Sequence, residues 1–117
     1  MQLGESYSLN QNDGTNKGER VYFHIFGFKW KPEATEAQKA QTIVDVKAFK
    51  GVVPGLEEVH LGHNESPRGQ GYAFAGVMRF TGKAAFDAYM THPAHEKLLV
   101  WLLPLIDPVE FDFLAME

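Results

Sequence analysis

The chain has 117 residues, room for one domain, and 44% of them are hydrophobic, enough to build a packed core. A formal net charge of −4 offers no cationic face, which speaks against nucleic acid as a partner. Cysteine is absent, which removes disulfides, thiolate metal sites and cysteine nucleophiles, and neither a membrane-length apolar run nor a signal-peptide core is present, so a cytoplasmic, non-membrane protein is expected.

Residues 1–19 are polar, carry Gly4, Gly14 and Gly18, and keep no sustained period. They read as a flexible N-terminal arm, and residues 20–117 as the domain. The first strand is expected from Val21 to Trp30, aromatic and β-branched as a pleated surface prefers. Its alternation puts Val21, Phe23 and Ile25 on one face and Tyr22, His24, Phe26, Phe28 and Trp30 on the other. Both faces are apolar, so the strand calls for cover on both sides.

Thr35 then reads as a helix N-cap, with Gln38 at the reciprocal capping-box position. The helix is expected to run to about Lys50, with Ala40, Ile43, Val44 and Val46 as its apolar side and Gly51 as its stop. After the Pro54-Gly55 turn a second strand spans Leu56 to His63. His60 and His63 are three apart and face opposite ways, so this strand alone makes no two-histidine metal site. A loop dense in turn formers leads to a third strand, Tyr72 to Phe80. Tyr72, Phe74, Met78 and Phe80 are expected on one of its faces, and Gly76 reads as a bulge, a ligand approach or simply tight packing. Val109 to Ala115 is the last strand, alternating Val109, Phe111 and Phe113 with Glu110 and Asp112. Pro108 at its start points to an edge or strand-entry position.

Between these strands lies the stretch with the most chemistry, Ala88 to His95. Proline disfavours helix for the residue before it, so His92 should end one helix. Pro93 suits the first turn of the next, where its missing N–H costs nothing. The segment therefore reads helix, corner, helix. Tyr89 sits in the last turn before the corner and His95 in the first turn after it. A corner can aim both into one space, which a straight helix would not do. A neutral imidazole beside a phenol is an acid–base pair suited to neutral pH. The competing reading is structural: a capping or surface histidine, and a core tyrosine with a wet hydroxyl.

The order strand, helix, strand, strand, helix, strand is the split βαβ, ferredoxin-like arrangement of the α+β class. Helices cover one face of such a sheet. Here the other face is also apolar, and soluble monomers rarely expose so large a patch. A homodimer with its two sheets packed face to face is the expected solution.

The segments FHIFGFKWKPEATEAQ, VPGLEEVHLGHN, GQGYAFAGVMRF and AFDAYMTHPAHEKL resemble the stress-responsive α/β-barrel, or Dabb, family over about Arg20 to Met116. The resemblance implies a dimeric α+β barrel. It implies little about activity, because many members have none assigned. One plant member closes a linear polyketide by aldol condensation, with a histidine as general base and a tyrosine holding the substrate carbonyl. The matching positions are His95 and Tyr89, and a first-strand pocket histidine matches His24. A further pocket histidine of that cyclase is replaced here by Phe74. Some relatives hold magnesium on backbone carbonyls near the first helix end, which would fall near Val53 and Leu56; no metal and no cofactor are assigned here.

Three functional readings follow. The first is a protein that binds a small apolar or aromatic molecule in a pocket between helices and sheet, with His95 and Tyr89 catalytic and His24, Phe26, Tyr72, Phe74, His92 and Trp101 lining the pocket. If it is an enzyme, it is a cofactor-free cyclase or lyase. The second is a non-catalytic dimeric binding or stress protein. It predicts that His95 bonds a backbone group or points to solvent and that Phe74, Phe86 and Trp101 fill the cavity. The third, a cofactor-free oxygenase, finds no residue to favour it.

Overall fold

β1 (Tyr22–Trp30) is an inner strand, and its composition explains why. Aromatic and β-branched side chains alternate along it, and both edges are taken by antiparallel partners. The computed structural model describes residues 20–117, so the expected N-terminal arm lies outside the described residues. β2 (Leu56–His63), β3 (Phe74–Phe80) and β4 (Ile106–Leu114) complete a four-stranded sheet in the order β2-β3-β1-β4. α1 (Glu36–Lys47), α2 (Lys83–Met90) and α3 (Pro93–Leu102) complete the βαββαβ plan, the second helix being broken in two. This is the ferredoxin-like α+β fold that the order of elements predicts.

α1 starts as expected. Thr35 Oγ1 accepts from the Gln38 N–H at 3.1 Å, and the Gln38 side chain accepts from the Thr35 N–H at 2.9 Å. Its apolar face differs from the expected one. Val44 is 59% exposed, while Thr42 is fully buried and returns its hydroxyl to the Gln38 carbonyl at 2.9 Å. The backbone bond lets a threonine take a core position at little cost.

The core lies between the helices and one face of the sheet. Phe80, Met78 and Leu102 are its most enclosed apolar side chains, each contributing about 1.5–3 kcal/mol by burial. Phe26, Phe28 and Phe74 stack in sequence, with ring centroids 5.4 and 5.5 Å apart. Gly76 belongs to tight packing: a Cβ there would lie 2.3 Å from the Phe26 ring and 2.8 Å from Leu61.

Two boundaries differ from expectation. β3 begins at Phe74, because Gln70 (φ 55°) and Gly71 (φ 86°) carry a turn just before it. The strand alternation does not extend back to Tyr72. That side chain lies on the helix-free face beside Gly27, with the Lys29 ammonium 4.7 Å from its ring centre. β4 begins at Ile106 and not at Val109. It is an edge strand, so Pro108 sits within it opposite Phe28 without breaking an inner ladder.

Strand register sorts the β4 side chains. Asp112 faces His24 across the β1–β4 pairing, so Ile106, Pro108, Glu110 and Asp112 lie on the helix side. Val109, Phe111 and Phe113 lie on the face without helices. Phe111 is 61% and Phe113 44% exposed, and Phe113 packs on Phe23 with ring centres 5.6 Å apart. No helix among the described residues is long and apolar enough to cross a membrane.

Candidate functional site

The corner between α2 and α3 forms as the sequence predicts. His92 is the N-cap of α3, its Nδ1 accepting the Ala94 N–H at 3.0 Å, and Pro93 occupies the first helical position. The turn brings Tyr89, from the end of α2, against His95, at the start of α3, with ring centres 4.2 Å apart. Both side chains are buried.

These two rings stand at the polar end of a small hollow between helices and sheet. His24 and Glu110 complete that end. The remaining wall is apolar and includes Phe26, Met78 and Leu102. A largely apolar hollow with a few convergent polar groups is the usual form of a small-molecule site.

Burial lowers the His95 imidazole below its ordinary pKa; the Met90 carbonyl acts against this, and His24 adds to it. His95 Nδ1 lies 3.2 Å from that carbonyl and donates to it, which leaves the Nε2 lone pair for a ligand proton. Burial pushes the Tyr89 phenol well above its ordinary range, and the Glu110 and Asp112 carboxylates push the same way. The pair is thus a neutral base beside a firmly protonated donor.

The second imidazole has a different support. His24 Nδ1 lies 2.5 Å from Asp112 Oδ1, so the carboxylate fixes the tautomer and leaves Nε2 as the basic nitrogen. Asp112 and Glu110 went unrecognised in the sequence as site residues. Two carboxylates spaced by two residues share a strand face, but only the β1–β4 register makes that face the one carrying His24. Donor atoms of His24, Glu110 and Asp112 lie within 4.8 Å of one another, a spacing at which a divalent cation can be held. A cation there would have to replace the proton between His24 and Asp112. The Val53 carbonyl, near the backbone metal position implied by the family, accepts the Leu56 N–H at 3.3 Å.

Four residues expected to line this cavity do not. Tyr72 lies on the opposite face of the sheet. Phe74 is 2% exposed and spends its ring on Phe28 and Trp30. His92 is occupied in capping α3. Trp101 lines a separate groove between α1 and α3, because its position on α3 turns it away from the sheet. His24, Phe26, Tyr89 and His95 do meet at the cavity.

A ferredoxin-like sheet backed by helices, with an apolar cavity ending in two imidazoles and a phenol, describes a class of small α+β proteins. Within it, the chain belongs to the stress responsive A/B barrel domain (Dabb) family, which matches residues 23–115. It is 27% identical over 74 residues to olivetolic acid cyclase of Cannabis sativa, a match covering 62% of this chain and 73% of the cyclase. The hydroxynitrile lyase of Passiflora edulis superposes with a TM-score of 0.77 at 20% identity, covering 84% of this chain and 95% of the lyase; this likeness speaks for the fold alone. A dimeric ferredoxin-like protein of unknown function from Thermobifida fusca superposes with a TM-score of 0.73 at 25% identity, over 90% of this chain and all of that one.

Proposed function

We propose that this chain forms a homodimer that binds a small, largely apolar carbonyl compound in its cavity and moves a proton on it. His95 Nε2 takes a proton from the carbon next to the carbonyl, and the Tyr89 hydroxyl donates to the carbonyl oxygen as negative charge develops there. His24, oriented by Asp112, stands at the same end as a second proton carrier. Each step moves only protons, so the scheme calls for no cofactor. The observation that carries the reading is the contact of Tyr89 and His95 at the polar end of an apolar cavity.

Ring closure of a polyketide by an aldol step is the more specific form of this proposal. Its support is the cyclase of Cannabis sativa, with which the chain shares 27% identity over 74 residues. The non-catalytic reading draws on one specific observation, the His95 bond to a backbone carbonyl. That bond uses only Nδ1; Phe74 and Trp101 lie elsewhere, and Phe86 packs on His24 with ring centres 5.4 Å apart without lining the cavity.

The homodimer is proposed from Phe23, Phe111 and Phe113 on the helix-free face, a patch that suits a second copy. The dimeric Thermobifida fusca protein is a precedent for such an assembly.

Thermal unfolding with β-diketones and alkylphenols tests the ligand reading. Ligand at a hundredfold excess over its Kd should add about 2.7 kcal/mol to wild-type stability, and less to His95→Ala. If none of these probes raises the midpoint, or if His95→Ala responds equally, the assignment of this cavity and this residue fails.

A further inference from the structure

A groove between α1 and α3 is lined by Val52, Ala94 and Trp101, with Asp45 and Lys97 among its other residues. It lies directly behind the proposed site. Leu98 borders both hollows, facing the inner cavity and the groove, and is itself 5% exposed. Phe49 lines the groove while its ring meets Tyr89 edge-on at 5.6 Å and His95 at 6.3 Å. Leu98 is thus the side chain that the two hollows share, and the Phe49 ring stands between the groove and the Tyr89–His95 pair. The groove side of that wall is apolar, so an alkyl chain passing Leu98 would stay out of water.

We propose that Leu98, with Phe49 beside it, is the length-determining wall of the site: it ends the inner cavity and excludes ligands whose apolar tail would need the groove. This rests on the reading that the cavity binds a carbonyl compound with its polar end at Tyr89 and His95. Each methylene that finds apolar cover tightens binding about fourfold. Affinity in the wild type should climb with tail length and then fall once the tail meets Leu98. In Leu98→Ala the tail enters the groove, and affinity keeps climbing. Leu102 lines the inner cavity but not the groove. Leu102→Ala therefore enlarges the cavity without joining the two spaces, and its length limit moves outward but stays.

The test is calorimetric titration with straight-chain methyl ketones from butanone to undecanone, on wild type, Leu98→Ala and Leu102→Ala. Each variant is also made in a Trp30→Phe background, so that Trp101 alone reports on the groove. The expected result is a length limit in wild type, its disappearance in Leu98→Ala, and a change of Trp101 emission with long ketones only in that variant. Phe49→Leu, a milder opening of the same wall, carries the test if Leu98→Ala fails to fold. An unchanged limit in the opened variant overturns the wall and leaves the ligand reading standing. No ketone binding to the wild type overturns both.

Discussion

His95 owes its usefulness to burial. An imidazole held below its ordinary pKa of about 6.5 is a base through the whole neutral range, and Tyr89, held above its own, stays a donor well into alkaline solution. Turnover should rise with pH through a value below 6.5 and then stay flat. The same shift couples to folding. Below about 6.5 the unfolded chain takes up a proton at this position that the folded chain refuses. Stability should therefore be complete above that pH and decline as pH falls towards the lowered folded value. Denaturant titrations between pH 4 and 8 should give a smaller slope for His95→Ala; an equal slope contradicts the assignment. His24 depends on a partner instead. Asp112→Ala removes the acceptor that fixes its tautomer, so its ring-nitrogen NMR signals should change towards the mixed-tautomer pattern while the fold is kept. Unchanged signals would show that the carboxylate does not set the proton.

At the scale of elements, much was legible because the signals are local. Thr35 and Gln38 mark the start of α1 three residues apart, and His92-Pro93 marks the corner without reference to any other part of the chain. What was not legible depends on partners distant in sequence. Tyr72 fits the β3 alternation on paper, but the turn at Gln70 and Gly71 detaches it. Trp101 looks like a pocket residue until the rotation of α3 against α1 is known. Glu110 and Asp112 become site residues only through the register that sets Asp112 opposite His24, and no local pattern encodes that pairing. Gly76 shows the same dependence. Its lack of a side chain makes room for the Phe26 ring from the neighbouring strand, and Phe26 lines the cavity. Gly76→Ala should cost about 1–3 kcal/mol through displacement of Phe26 and Leu61. It should also weaken ligand binding, because the displaced ring has the cavity as its nearest free space. A variant as stable as wild type would mean that the sheet gives way more easily than this packing implies.

For the whole molecule, the sheet divides the labour. One face, under the helices, holds the core and the cavity; the other carries Phe111 and Phe113 in the open, with Phe23 half-buried beside them. If a second copy covers that patch, Phe111→Arg should convert a dimer to monomers in sedimentation at micromolar concentration, because a buried unpaired charge is too costly to keep. A wild-type monomer would remove the dimer from the account. The cavity lies on the opposite side of the sheet, so its chemistry can be tested by itself. The most direct measurement is proton exchange: a β-diketone or methyl ketone dissolved in deuterated buffer with the protein, followed by NMR at the carbon next to the carbonyl. Wild type should speed deuterium uptake at that carbon over buffer alone, and His95→Ala should lose about 10²–10⁴ of that acceleration. Uptake no faster than in buffer, or equally fast with His95→Ala, would contradict proton abstraction by His95.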